Sequence, residues 1–159
     1  MKHCLLSFLI ASSFSHSNES MIYDSSFAYG TNNGVDIKEL LDRANSGDAS
    51  AQNIVATSYA TGERLPENER EAVLWFQKAA VQGHADAQFS LGYVHSVGFG
   101  TSKNLVSALA WMSIAKARGS DDAKERLPQL KRTMTQEQIS AAQELAVKCF
   151  NSDFKDCEL

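Results

Sequence analysis

Apolar and polar side chains alternate with a helical period along much of the chain. The clearest stretch carries apolar residues at spacings of i, i+3, i+4, i+7 and i+8, namely Ala72, Trp75, Phe76, Ala79 and Ala80. Side chains at these spacings lie on one stripe of an α-helix. The pattern therefore predicts a helix that buries this stripe and leaves its polar positions in solvent.

The same stripe returns 36 residues later, so the chain contains a repeat. The second copy carries Ala108, Trp111, Met112 and Ala115, and the stretch Gly47-Asp-Ala-Ser-Ala51-Gln52 returns as Gly83-His-Ala-Asp-Ala87-Gln88. Aligned without gaps, residues 47–82 and 83–118 share nine identities in 36 positions, where ordinary composition gives about two. Self-similarity at a fixed period of this length predicts an array of helical repeats.

Each repeat is predicted to hold two helices joined by a loop. The first helices run from Asp48 to Thr61 and, in the second copy, from His84 to Val97. Gly62 and Gly98 follow them, at the position where a helix end favours a residue that tolerates positive φ. Asn68 and Asn104 precede the second helices and are predicted N-caps, because their side chains can accept hydrogen bonds from free backbone N–H groups.

Further helices are predicted at both ends of the array. Asp36 to Ala44 has the apolar spacing of a helix and matches, by register, the second helix of a preceding repeat. A third unit begins at Asp121–Leu130 and degenerates, and Thr135 with Gln138 forms a capping box that opens a last helix through Cys149. The predicted fold class is all-α, an α/α superhelical repeat array of about two full repeats with N- and C-terminal capping helices. The array occupies residues 35–150, and a short polar tail follows at 151–159.

The first 34 residues are predicted to lie outside the array. An apolar run from Cys4 to Phe14 follows Lys2 and leads into small residues. This order is typical of a secretory signal peptide, predicted at 1–17, and a Ser/Asn-rich flexible linker is predicted at 18–34. We therefore expect a periplasmic or secreted protein, or a cytoplasmic one if the segment is not cleaved. The run is shorter than the roughly 20 residues that span a bilayer, so no stable membrane span is expected.

Three cysteines stand at positions 4, 149 and 157. None has the short paired spacing of a zinc or thioredoxin-type site. Removal of a signal peptide would take Cys4 away and leave an even pair in an oxidising compartment. We therefore predict a disulfide between Cys149 and Cys157.

Composition and motifs argue against most kinds of chemistry. A net charge of −4 does not suit general nucleic-acid binding, which uses a clustered basic face. The chain contains no nucleophile elbow, phosphate-binding loop or zinc-protease helix motif. His84 and His95 are predicted to lie roughly 16 Å apart along one helix, so one metal ion cannot bind both. We expect no metal, no cofactor and no enzymatic activity.

The repeat resembles the Sel1-like repeat family, relatives of the tetratricopeptide repeat. The resemblance rests on the Gly-x-Ala-x-Ala-Gln start of each copy, on Leu91-Gly92, on Ala72 with Trp75, and on the glycines that recur at the period of the array. His95 at the usual Tyr position and Arg64 at the place of the second loop Gly depart from the family pattern. The resemblance implies an α/α superhelix that acts as an interaction scaffold, often exported in bacteria, with no chemistry of its own.

The residues expected to contact a partner are positions of the first helices that do not recur. They are Ser50, Asn53 and Thr57 in the first copy and Asp86, Ser90, Tyr93 and Ser96 in the second. In α/α arrays such helices line the concave face, where we expect a protein or peptide partner with Tyr93 as its anchor. Variation at these positions is equally consistent with drift on an unused surface.

Two other functions compete with partner binding on this face. One is an envelope hydrolase acting on cell-wall or β-lactam compounds, an idea suggested by cysteine-rich members of the family. No nucleophile with a base at a suitable spacing supports it. The other is a purely structural adaptor in an envelope complex, which differs from a binding module only in the lifetime of its contacts.

Overall fold

The computed structural model describes residues 36–154 and Cys157, so the predicted signal peptide and linker lie outside the described residues. This part of the chain holds seven α-helices and no strand. They are α1 (Ile37–Asn45), α2 (Ala49–Thr61), α3 (Glu69–Val81), α4 (Ala85–Val97), α5 (Leu105–Ala117), α6 (Asp121–Lys131) and α7 (Gln136–Asn151). None of the seven is long and apolar enough to cross a membrane. The predicted all-α fold class is confirmed.

Most helices that follow one another in the chain pack side by side. The first repeat consists of α2 and α3 and the second of α4 and α5, and each of these four helices has 13 residues. At one end α1 packs on α2, and at the other both α6 and α7 pack on α5. The short helix α1 and the pair α6 and α7 therefore cover the two ends of the stack, as capping units do in repeat proteins.

Local capping residues set the helix ends as predicted. Gly62 and Gly98 end α2 and α4 with φ angles of 73° and 82°, in the left-handed region. The side chain of Asn68 accepts a hydrogen bond from the backbone N–H of Glu71, and Asn104 caps α5 in the same way. At the start of α7, Thr135 and Gln138 form the complete reciprocal capping box. These contacts are local, which explains why sequence alone locates them.

Small residues let the helices approach closely, and one tryptophan per repeat fills the space between them. Nine alanines of the two repeats have no exposed surface, namely Ala51, Ala56, Ala72, Ala79, Ala80, Ala87, Ala108, Ala110 and Ala115. Trp75 is 8% exposed and Trp111 is 1% exposed, so both are buried as predicted. At Gly92 on α4 a Cβ atom would lie 2.9 Å from the carbonyl oxygen of Ala108 on α5. The close contact between α4 and α5 therefore depends on glycine.

The recurring glutamine of each repeat joins one repeat to the next. The side-chain amide of Gln52 on α2 donates to the carbonyl oxygen of Ala44 at the end of α1, at 3.0 Å. Gln88 on α4 donates to the carbonyl oxygen of Ala80 on α3, also at 3.0 Å. Carbonyl groups in the last turn of a helix lack partners within the helix. Both carbonyls also accept a backbone N–H, from Gly47 and Gly83 respectively. The buried glutamines therefore add a second hydrogen bond to each carbonyl, across a repeat boundary.

The C-terminal end of the chain folds back onto the second repeat. Phe154, in the segment assigned to the tail, is 6% exposed and stacks on Trp111 with ring centroids 6.2 Å apart. Cys149 and Cys157 are joined by a disulfide in the structure, with Cα atoms 4.9 Å apart. The tail therefore contributes a large aromatic side chain to the core.

Candidate partner-binding face

The first helices of the repeats present one exposed stripe each, which we call the first-helix face. Its members share a register of 36 residues, namely Ser50, Ile54, Thr57 and Thr61 on α2, then Asp86, Ser90, Tyr93 and Val97 on α4, with Asp122 and Arg126 on α6. Nine of these ten side chains are exposed, and Ser90 is half-buried. The face carries apolar, hydroxyl and charged groups together, a mixture that suits contact with another polypeptide.

Tyr93 lies where the stripes of α4 and α6 meet. Its side chain is 41% exposed, and the guanidinium carbon of Arg126 on α6 lies 5.5 Å from the centre of its ring. A cation over an aromatic face is attracted by the ring quadrupole, which contributes about 0.5–1 kcal/mol at an exposed site. Arg126 therefore orients the ring while leaving much of it open to solvent.

The structure brings Asp86, Ser90 and Tyr93 together on one stripe, at spacings of four and three residues. Asp86 is exposed and free for charge contacts within the described part of the chain. Ser96 lies beside this stripe, and its hydroxyl already donates to the carbonyl oxygen of Tyr93 at 2.7 Å. Ser96 is therefore less available to a partner than the other three.

Asn53 and Thr57 form a second group on α2, one helical turn apart. The hydroxyl of Thr57 donates to the carbonyl oxygen of Asn53 at 2.9 Å. The side-chain oxygen of Asn53 is buried and has no hydrogen-bond partner among the residues that the structure describes. Thr57 is exposed and stands 36 residues before Tyr93, so α2 carries a small side chain where α4 carries a ring. The role of all these residues in binding stays a prediction.

A cavity of about 200 Å³ opens beside Thr57, and sequence reasoning missed most of its lining. It is lined by Ile54, Thr57, Ser58, Thr61, Glu63 and Arg64. Ile54 is 42% exposed, and Arg64, which is half-buried, also lines the cavity. An isoleucine on an otherwise polar outward stripe was the available signal, because its match on α4 is Ser90. The cavity offers an apolar wall and a positive charge close together.

His84, at the start of α4, and His95, within α4, contribute to the fold. Nδ1 of His84 accepts a hydrogen bond from the backbone N–H of Ala87, so this residue is the N-cap of α4. His95 is buried, and its Nδ1 atom has no hydrogen-bond partner in the described residues. Burial lowers the pKa of His95, because a charged imidazole loses its hydration there. Among the residues that the structure describes, no group of three or more His, Cys, Asp or Glu side chains could hold a metal ion.

Comparison with known proteins gives the family. The family model described as Sel1 repeat matches residues 49–84 and 85–120, which contain the two helix pairs of the structure. A solved Sel1 repeat protein from Oxalobacter formigenes is 34% identical, and this chain covers 70% of that protein. The chain belongs to the Sel1 repeat family. The match to the Oxalobacter structure covers 58% of this chain with a TM-score of 0.57, so the resemblance seen in the sequence is confirmed.

Other relatives share the repeats within longer chains. A protective antigen of uropathogenic Escherichia coli with an SLR fold has a TM-score of 0.70 over 74% of this chain at 24% identity, which supports the fold alone. Chitin synthase regulatory factor 3 of Schizosaccharomyces pombe is 41% identical over 71 residues, and DAP3-binding cell death enhancer 1 of Rattus norvegicus is 30% identical over 115 residues. The chain spans 8% of the first of these two proteins and 21% of the second.

Proposed function

We propose that this Sel1 repeat protein is a non-catalytic scaffold that binds a protein or peptide on its first-helix face. One observation carries the proposal. The residues that recur at 36 positions, such as Ala72, Gln52 and Trp75, are buried and hold the array together. The residues that differ between copies, such as Thr57 and Tyr93, lie exposed on one stripe. In this proposal the recurring positions stabilise the fold, and the positions that differ between copies bind the partner.

The names of the relatives support an interaction role. One is described as a regulatory factor of chitin synthase and another as a DAP3-binding protein, and both descriptions name an effect on another protein. Because this chain spans only a small part of either relative, the shared region is the repeat array itself. We therefore carry over the general role of binding a protein, and neither of the named partners.

Two features of the first-helix face give the partner its expected chemistry. Tyr93 offers a partly exposed ring held by Arg126, and aromatic side chains with a polar tip are frequent interface hot spots. The cavity beside Ile54 and Thr57 offers a place for an apolar side chain, with Arg64 at its edge. A segment that carries an apolar residue near a carboxylate fits both the cavity and its charge.

Capture from an envelope extract tests the proposal. The purified chain, immobilised as bait, is compared with the Tyr93→Ala variant by quantitative mass spectrometry of the bound proteins. We expect one stoichiometric partner whose capture falls at least about tenfold in the variant, equal to about 1.4 kcal/mol. Thermal stability should change little, because the ring is exposed and its contact with Arg126 is weak.

A matched control distinguishes specific binding at the first-helix face from nonspecific adsorption to exposed apolar side chains. Leu74 on α3 is 51% exposed and lies outside the first-helix face, so Leu74→Ala should leave capture unchanged. If Tyr93→Ala captures the same amount of partner per folded molecule, the face is not the binding surface. If the bait has no stoichiometric partner and the purified protein hydrolyses a cell-wall or β-lactam substrate, the rival function as an envelope hydrolase replaces this proposal.

We also propose that the protein is exported, as the apolar run from Cys4 to Phe14 suggests. Cleavage near residues 14–18 would remove Cys4 and leave Cys149 and Cys157 as the cysteines of the mature chain. Intact-mass measurement of the native protein tests this directly. Recovery of a chain that keeps residues 1–14 in the soluble cytosolic fraction would refute export.

A further inference from the structure

The C-terminal turn combines a disulfide, a buried aromatic ring and an unusual backbone. We call Cys149, Asp153, Phe154 and Cys157 the C-terminal latch. Cys149 at the end of α7 has no exposed surface, whereas Cys157 is half-buried. Cys157 is therefore the more accessible of the two cysteines, although it also packs against the core.

Phe154 joins the latch to the second repeat. Its ring stacks on Trp111 of α5 with an interplanar angle of 15°, and it meets Phe150 of α7 edge-on at 6.5 Å. The guanidinium carbon of Arg118 lies 5.0 Å from the centre of the same ring. Phe154 thus contacts both Trp111 and Arg118, and it covers part of the core.

The backbone of the latch is one that these residues rarely adopt without help. Asp153 and Phe154 have φ angles of 51° and 63°, in the left-handed region that is unfavourable for residues with a Cβ atom, above all for a bulky aromatic. Two such residues in succession persist only where surrounding contacts over-determine them. Here those contacts are the disulfide, the burial of Phe154 and two backbone hydrogen bonds, from the N–H of Phe154 to the carbonyl of Cys149 and from that of Asp153 to the carbonyl of Phe150.

We propose that Cys157 is a site of thiol–disulfide exchange that releases Phe154 from Trp111. The rate of exchange depends on the access of the incoming thiolate to the sulfur that it attacks, and Cys157 is partly exposed whereas Cys149 has no exposed surface. The attacking thiolate of a dithiol bonds to Sγ of Cys157 while the bond to Sγ of Cys149 breaks, and Cys149 leaves as a thiolate that takes up a proton. The second thiol of the dithiol then displaces Cys157, so that the dithiol becomes a disulfide and both protein cysteines become thiols.

Release changes the surface at this end of the array. Without the disulfide the left-handed turn loses the covalent constraint that holds it, and Phe154 leaves the ring of Trp111. Phe150, which contacts Phe154, also lines a cavity of about 210 Å³ with Ile114, Ala117, Ala146 and Val147. Reduction therefore uncovers Trp111 next to an apolar cavity between α5 and α7, while the helices of the two repeats stay in place.

The site of exchange is tested by trapping the mixed disulfide. The full chain carrying Cys4→Ser is incubated in its native state with glutathione, a monothiol, and the adduct is located by peptide mass spectrometry. We expect the adduct on Cys157 and none on Cys149. An adduct on Cys149, or cysteines that are already free thiols in untreated protein from an oxidising compartment, overturns the proposal.

The consequence of exchange is tested by fluorescence of Trp111. In a Trp75→Phe background Trp111 is the one tryptophan left in the chain, and dithiothreitol should shift its emission to longer wavelength without loss of helical circular dichroism. Cys157→Ser should show the shifted emission with no response to dithiothreitol, and Phe154→Ala should show it with the disulfide intact. Reduction that leaves the emission unchanged, or that unfolds the helices together, refutes release of Phe154 as the event.

Discussion

Replacement of Gly100 by alanine should destabilise the protein more than the same replacement at another left-handed glycine. Gly100 lies in the loop between α4 and α5 with a φ of 63°. A Cβ atom there would meet the carbonyl oxygen of Glu69 and lie 2.6 Å from its carbonyl carbon, at the start of α3. The backbone N–H of Gly100 also donates to the carboxylate of Glu69 at 3.0 Å. The loop of the second repeat is therefore seated directly on the first.

The size of the effect follows from three contributions. Left-handed backbone costs a residue with a Cβ atom roughly 1–2 kcal/mol. Forcing a methyl group against packed backbone costs about 1–3 kcal/mol more. Alanine lowers the conformational entropy of the unfolded chain relative to glycine, which stabilises the folded protein by about 0.4–1 kcal/mol. We therefore expect Gly100→Ala to lower the free energy of unfolding by roughly 2–4 kcal/mol, a large share of a typical domain stability of about 5–15 kcal/mol.

Gly119→Ala is the matched control. Gly119 has a φ of 94°, and a Cβ atom there would have no neighbour within 4 Å. Only the backbone and unfolded-state contributions apply, so we expect a loss of about 1 kcal/mol or less. Urea unfolding followed by circular dichroism gives both values, and their difference measures the contact between the loop and Glu69. Equal losses for Gly100→Ala and Gly119→Ala would show that the loop does not rest on α3 and would refute the reasoning.

Two further substitutions test the core. Trp75→Ala should cost about 3–5 kcal/mol in chemical denaturation because it removes a buried indole, and an unmoved midpoint would mean that Trp75 is exposed. Burial lowers the pKa of His95 in the folded protein. Below about pH 6.5 the unfolded chain therefore binds a proton that the folded chain does not. The free energy of unfolding should fall as the pH is lowered from about 7 to about 5. His95→Tyr, which copies Tyr59 from the first repeat, should remove that part of the fall, and an identical pH dependence in both proteins would argue against the assignment.

Most of the array could be predicted from the sequence because its determinants are local or periodic. The N-cap Asn68 and the helix end at Gly62 act within a few residues, and the alanine stripe of α3 recurs in α5. The repeat also fixes the alignment of the two copies, because Trp75 and Trp111 must occupy matching positions in their helices. These features need no knowledge of which helix packs on which.

Other features depend on contacts that the period does not encode. Phe154 follows the last helix in a polar segment, and its burial depends on Trp111 and Arg118, which are 43 and 36 residues earlier in the chain. The cavity beside Thr57 exists through the placement of a loop residue, Arg64, next to Ile54. The contact of Phe154 with Trp111 does not recur along the chain, and a cavity has no sequence pattern of its own. Both features are therefore seen only in the structure.

The recurring glutamines have a consequence for how the array unfolds. In a repeat protein the stability of the whole is close to a sum over units and the interfaces between neighbours. Gln52 and Gln88 each add a buried hydrogen bond to such an interface. Opening one unit breaks this bond and leaves the carbonyl with its local glycine N–H donor, so the glutamine raises the cooperativity between the two units. At the next boundary the matching residue is the exposed Lys124, and this coupling is missing. The capping helices α6 and α7, which both pack on α5, can therefore open separately from the repeats, and the contact of Phe154 with Trp111 ties the end of α7 to the second repeat.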